Sequence, residues 1–457
     1  MAFGDLFKRK RKEKTESNVN AKPKPVTSTI PSPPETPPDR GSELLPIATL
    51  LAKQQSRIYY TGIVSCSQNY FSTESLSWET SNVSLIGSTI KIESPSTFIN
   101  VSDCQLTHSD SDLTITITIT DQSHIMFQFN KIESLQSFFS ALILSKFEYS
   151  QLQKAYTGAL LSSKAIHFSD VRILLDPNNR HTKEEWCVIR LPYLNDKWIR
   201  IFVVVKSTKV ELYTNSNKQK KNLLGYCKEA KGVWNIYSGL EQVDENSLIR
   251  VFGDWVIDFN LLEQVLLPPQ ERRRSGSLSK RLSMQSMRSS KSQDSTLSTN
   301  LSTTSNSVKK HRRLTSIDTS ISQNSQSTTQ TSNSISKKIA DRETKLTSLL
   351  YLIPESHPGV KPVEICIRLL IPLMNTFGLY GRPKKFVSSR DEKESLLFGL
   401  PQLPRTNYLQ LESVNELVAL NWQSASTEDW GISDWLEVVN ELLGRMIAKG
   451  WIGSDMN

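Results

Sequence analysis

The chain has 457 residues, a hydrophobic content of 37% and a formal net charge of +9. That length leaves room for two or three domains with real cores, and the cation excess points to segments that meet anionic partners: phosphoinositide-bearing membrane, RNA or acidic proteins. No apolar run approaches the ~18 residues of a membrane-crossing helix. The five cysteines stand singly without a zinc spacing and read as reduced, buried thiols.

Residues 1–45 read as a disordered tail, in which the basic block Lys8 to Lys14 precedes seven prolines between Pro23 and Pro38. The block is compatible with a nuclear-import signal, with an electrostatic membrane anchor aided by Phe3, Leu6 and Phe7, or with a solvated tail. The apolar stretch ahead of it is too short for a secretory signal. Leu44, Leu45, Ile47, Leu50 and Leu51 predict a short helix leading into a strand at Ile58 to Val64. Strands follow at 83–86, 89–92, 113–120 and 125–129, the third alternating Ile115, Ile117 and Ile119 with threonines. An amphipathic helix over 134–147, on Leu135, Phe138, Phe139, Leu142 and Ile143, closes a first domain at 56–147. A connector, 148–181, carries a helix at Tyr149 to Leu161 and a short packed segment at Ala165 to Val171. His167, His181 and His357 stand apart from any ligand cluster and read as structural or surface groups.

The second domain spans 182–262 and 345–378. Strand-like runs at 186–191 and 198–205, joined by a polar turn, read as a hairpin. Further strands are expected at 210–213, 232–237, 247–252, 255–259 and 346–353, before a helix at Glu364 to Phe377 that Pro372 should kink or split. Trp186, Trp198, Trp234 and Trp255 read as core and hairpin-packing groups. A Ser/Thr-rich loop at 264–342, unable to bury enough apolar surface to fold, interrupts the domain. Beyond it, 379–457 forms a small helical extension expected to pack on the second domain, with a strand or tight segment at 395–401 and helices at 414–420 and 430–451. The fold class is therefore mainly β with α (α+β): two pleckstrin-homology-like (PH-like) barrels, each seven-stranded with a C-terminal helix.

Such barrels read phosphoinositides through basic side chains in and beside the first hairpin, because a multiply charged headgroup needs converging cations. The candidates are Arg190, Lys197, Arg200, Lys206 and Lys218. In the inserted loop, Ser275, Ser277, Ser283 and Ser316 follow arginines and lysines at the spacing an acidic kinase groove accepts, and phosphate there would cancel local positive charge. There is no phosphate-cradling glycine loop, metalloprotease motif, nucleophile elbow or kinase signature, so no catalytic residue, metal or cofactor is nominated. Specific nucleic-acid binding is not expected, since no aromatic RNA-reading pair is present.

Lys183 to Arg190, Lys197 to Val204, Leu352 to Pro358, and especially Phe377-Gly378-Leu379-Tyr380-Gly381-Arg382-Pro383 with Ser395 to Pro401, resemble the fungal family of PH proteins that includes the deadenylase-associated factor and relatives linked to polarised growth and cell-wall integrity. The likeness covers roughly Tyr149 to Leu420. It implies a cytoplasmic, non-enzymatic scaffold, placed in such proteins at the cell cortex, bud neck or division site, and tied in one member to the mRNA deadenylation complex. Two readings follow: recruitment of partners through phosphoinositide or anionic-lipid contact, or a protein-protein scaffold linked to deadenylation that binds no lipid.

Overall fold

The computed structural model describes residues 43–69, 77–120, 123–168, 170–176, 182–267, 343–422 and 430–455. The tail through residue 42 and the candidate phosphorylation sites Ser275, Ser277, Ser283 and Ser316 lie outside the described residues, as does His181. Helix α1, Leu45–Ser56, starts at a proline-bearing first turn and buries Ile47, Leu50 and Leu51. Leu44 and Leu45 thus belong to the folded part rather than to the tail.

Seven antiparallel strands follow: β1 Ile58–Asn69, β2 Glu79–Ile86, β3 Thr89–Ile92, β4 Thr97–Asn100, β5 Gln105–Ser109, β6 Thr114–Thr120 and β7 Ser123–Gln128. They form one sheet in the order β4-β3-β2-β1-β7-β6-β5. Strand β6 buries Ile115 and Ile117 completely, as its alternation requires. The sequence leaves β4 and β5 unmarked because each buries a single apolar residue, Ile99 or Leu106.

Helix α2, Ile132–Lys164, is one element of 33 residues where the sequence suggests a helix and a separate connector. No breaker stands between Phe147 and Tyr149, and the helix is buried all round, so it shows no amphipathic stripe. One part packs on the first sheet and another on the second domain, so a single rod of backbone hydrogen bonds joins them. The short helix α3, Val171–Leu175, follows.

The second domain is a closed barrel of six strands, not seven: β8 Lys183–Leu191, β9 Asn195–Val205, β10 Val210–Tyr213, β11 Leu223–Asn235, β12 Ile249–Asp258 and β13 Thr344–Pro354, in the order β10-β11-β12-β13-β8-β9. The runs expected at 247–252 and 255–259 are one strand, β12, whose pairing shifts register between Phe252 and Trp255. Gly253 sits at that irregularity, where a Cβ would lie 2.6 Å from the Ala230 Cα, so the two backbones approach too closely for a side chain. Strand β11 also begins nine residues earlier than expected, at Leu223, because charges at Lys228, Glu229 and Lys231 hide it.

Asp258 ends β12 and accepts a hydrogen bond at 3.0 Å from the Leu261 N–H, capping helix α4, Phe259–Leu266. The expected loop start at 264 therefore lies inside a helix. Asp258 pairs with Thr344 in β13, so the chain leaves and re-enters the barrel at one place, as an insertion between adjacent strands does. Helix α5, Pro362–Thr376, continues through Pro372 without splitting.

The extension does not simply pack on the barrel. Tyr380 reaches it, donating its hydroxyl to the Val233 carbonyl and accepting from the Val233 N–H, both at 3.3 Å. Residues 395–401 form turns rather than a strand, and helices α6, Leu411–Trp422, and α7, Ile432–Ala448, lie against α2, with α7 also touching β5. Trp422 and Trp435 set their rings edge-on to Phe139 at 5.2 and 5.4 Å, and the Trp422 indole donates to Asp110 at 3.0 Å. These aromatic anchors on the first domain, invisible at sequence separations near 300, draw the last two helices there.

Candidate interaction site

The basic residues proposed to read a headgroup sit on or beside β8, β9 and the loop after β10. Period-two alternation points Arg190 and Arg200 outward from the barrel while Ile189, Leu191, Ile199 and Ile201 fill it. Four of the five candidates have carboxylate partners. Arg190 donates through Nε to Asp196 at 2.7 Å, Lys218 pairs with Glu184 at 2.7 Å, and Lys206 joins Lys209 on Glu211. Arg200 grips Glu355 with Nε and Nη2, the latter at 2.9 Å, while its guanidinium carbon lies 3.9 Å from the Trp186 ring centroid.

These pairs set the local charge states. The hydrogen bond from Arg200 holds the Glu355 carboxyl below its ordinary range, and Glu355 in turn raises the Arg200 guanidinium. Burial pushes Glu211 upward, but hydrogen bonds from Lys206, Lys209 and Tyr213 outweigh it and leave that carboxyl depressed. In each pair a basic side chain is matched by a carboxylate, which a multiply charged ligand would have to displace.

Lys197 lies at the start of β9. With Arg200 it lines a groove of about 600 Å³ between the start of β9 and α4, whose apolar wall is Trp198, Leu261, Val265 and Leu266. Trp186 is half-buried against Phe202, and Trp234 and Trp255 are buried, as packing groups should be; Trp198 is 42% exposed.

A second polar constellation lies where the two domains meet. The buried Lys146 ammonium, on α2, donates to the carbonyls of Val101, Ser102 and Cys104, the last at 2.8 Å. Burial brings that ammonium down to about 8. Arg250, reaching across from β12, donates to the Ser102 carbonyl at 2.7 Å and sits 3.4 Å from Asp103, which also accepts from the Tyr351 hydroxyl. Nearby on α2, Glu148 binds Arg57 at 2.7 Å, the Tyr59 hydroxyl and the Tyr408 N–H, tying α1, β1 and the extension to one carboxylate. Arg250 keeps Nε and Nη1 without a hydrogen-bond partner among the described residues, whereas the Lys146 ammonium and the Glu148 carboxylate each gather several partners and so tie the elements around them together.

Sequence reasoning missed Glu355, Lys146 and Arg250, whose partners are 155, 42–45 and 148 positions away. It also missed the groove wall on α4, although Asp258 ahead of Leu261, Leu262 and Val265 is a legible capped-helix signal. Among the described residues no group of three His, Cys, Asp or Glu could hold a metal ion, and no helix is long and apolar enough to cross a membrane.

A closed antiparallel barrel followed by a helix defines a PH-like fold. The family profile of the fungal PH-like domain matches residues 167–398, half of the chain, and the chain belongs to that family. It is 26% identical to the CCR4-NOT transcriptional complex subunit CAF120 of Saccharomyces cerevisiae, over 90% of this chain and 35% of that protein. It is also 26% identical to the uncharacterized protein YJL016W of the same yeast, over 86% of this chain and 74% of that one. The chain thus spans about a third of the length of CAF120. The human PH domain of pleckstrin homology domain-containing protein family A member 5 aligns at 9% identity and a TM-score of 0.17, over 28% of this chain and 92% of that one; the assignment does not rest on it.

Proposed function

We propose that this protein is a non-catalytic scaffold that enters a CCR4-NOT-type assembly through protein contacts made by a rigid two-domain body, with lipid attachment no part of its main task. The similarity to CAF120 over 90% of this chain carries the reading. The rim chemistry supports it: Arg190, Arg200, Lys206 and Lys218 are each matched by a carboxylate, which a phosphoinositide headgroup would have to displace. The shared helix α2 and the Lys146 and Arg250 contacts supply the fixed geometry that a scaffold uses to hold partners at set positions. On this reading the protein works in the cytoplasm, and kinases acting at Ser275, Ser277, Ser283 and Ser316 adjust the charge of the inserted loop.

The test is tagging the protein at its native level in a fungal host and quantifying what co-purifies. Deadenylase subunits recovered in near-stoichiometric amount, and retained after detergent removes membranes, fit the proposal. Recovery with phosphoinositide-rich membrane alone, lost on detergent treatment, would replace it with the lipid-recruitment reading.

A further inference from the structure

Two side chains in the extension are held in place while their polar ends stay open. Arg390, in the turns after α5, has its carbonyl anchored by the Gly399 N–H at 2.8 Å. The residue is half-buried, but its Nε and Nη2 are fully buried and have no hydrogen-bond partner among the described residues. Those two nitrogens form the edge of a guanidinium that takes a carboxylate or phosphate through two parallel hydrogen bonds, as the same edge of Arg200 does with Glu355. Tyr408 is 1% exposed, its N–H donates to Glu148 at 2.9 Å and its ring stands edge-on to Phe147 at 6.0 Å. Its hydroxyl is likewise buried and without a partner among the described residues. The two groups are close: burial and then Glu148 push the Tyr408 hydroxyl up, and the Arg390 charge acts on it in the opposite sense. The phenol therefore keeps its proton at neutral pH and can donate. Glu148 is itself bonded to Arg57 at 2.7 Å, so it does not neutralise Arg390.

We infer that Arg390 and Tyr408 bind a small oxyanion, a phosphate or a carboxylate, through two parallel hydrogen bonds from Nε and Nη2 and a third from the phenol. Buried polar groups in folded chains find partners in the protein, in water or in an ion. A water molecule would bond these groups and leave the buried charge uncompensated, whereas an oxyanion satisfies the donors and neutralises the cation together. Because the guanidinium edge is buried, the occupant is a free ion of a few atoms rather than a group carried on a macromolecule. The inference does not depend on the scaffold reading.

The test is isothermal titration calorimetry of the full chain, purified in chloride, with inorganic phosphate and separately with acetate at constant ionic strength. The expected result is saturable binding of at least one of the two, and which one binds tells a phosphate site from a carboxylate site. Affinity should fall about tenfold or more in Arg390→Lys, which keeps the charge and loses the fork, and in Tyr408→Phe, which removes a single oxygen. It should stay unchanged in Lys53→Glu on α1, with circular dichroism confirming that the variants fold. Should Arg390→Lys not fold, Tyr408→Phe alone decides. Ion chromatography of the denatured chain covers a site already filled at purification: a stoichiometric oxyanion released by wild type and not by the two site variants gives the same support. Neither saturable binding nor a released oxyanion in wild type would overturn the inference. Equal affinity or equal release in wild type and Tyr408→Phe or Arg390→Lys would do so as well.

Discussion

Arg200 and Glu355 stand 155 positions apart in the chain and meet in a two-pronged ion pair at the barrel surface, with the arginine stacked on Trp186. The arginine nominated as a headgroup ligand by its place in the first hairpin is thereby bonded to the segment just after the last strand. Removing the carboxylate should expose a latent cation: Glu355→Gln is expected to raise sedimentation with anionic vesicles at low salt by about fivefold, the gain typical of one added basic group near such a surface. Because Arg200 holds Glu355 below its usual range, the pair stays intact at neutral pH and opens only as acid protonates Glu355. Unchanged sedimentation would mean that Arg200 does not govern the rim charge.

Lys146 should matter to stability far more than a surface lysine. Lys146→Met removes the donor from the carbonyls of Val101, Ser102 and Cys104 in a buried site. Urea unfolding at pH 7 is expected to show a loss of about 3 kcal/mol. A loss under about 0.5 kcal/mol, the range of ordinary surface changes, would show that the junction does not depend on it.

The buried thiols give alkaline solution a definite effect. Burial raises Cys104 to about 11 and Cys227 and Cys366 to about 12, from 9.0 when free. A thiol raised in the folded state contributes stability that is complete below the free value and is lost as pH climbs towards the folded one. At one unit above the free value each costs about 1.4 kcal/mol. Lys146 works in the opposite sense: its depressed ammonium leaves the unfolded chain holding more protons between about 8 and 10.5, so its own contribution improves with pH. Lys154, brought down to about 8 by burial in the same way, acts with it. Four buried thiols, Cys187 included, together with the hydroxyls of Tyr156, Tyr193 and Tyr380 that burial also raises, outweigh the two amines. Urea midpoints under reducing conditions should therefore fall from pH 7.5 to 10, and fall less in Cys366→Ala. A pH-independent midpoint would contradict the burial of these groups.

Gly399, inside the segment that resembles the fungal family, takes a left-handed φ of +63°, and a Cβ there would come 2.4 Å from a Leu443 methyl on α7. Gly399→Ala is expected to lose about 2 kcal/mol or more through backbone strain and overpacking together, measured by urea unfolding. A neutral effect would mean that α7 yields without cost.

Local pattern made most of the elements legible, since α1, β6, β8, β9 and α5 carry apolar periodicity that matches their burial. What escaped was set by tertiary contact. Strands β4 and β5 have one core residue each, α2 is buried on every side and so reads as two pieces, and the bulge at Gly253 makes one strand look like two. The candidate cations lie on β8, β9 and the adjoining loops, and their neutralising partners could not be read. Glu355, Glu184 and Glu211 reach Arg200, Lys218 and Lys206 through folds of the backbone that alternation does not encode.

The most direct measurement is sedimentation velocity of the purified full chain with purified CCR4-NOT complex, at physiological salt, with and without phosphoinositide vesicles. A stable co-sedimenting complex that vesicles neither compete with nor require is the expected result. Free chain alongside the complex, together with saturable, phosphoinositide-dependent association with the vesicles, would contradict the account and make the barrel a membrane reader.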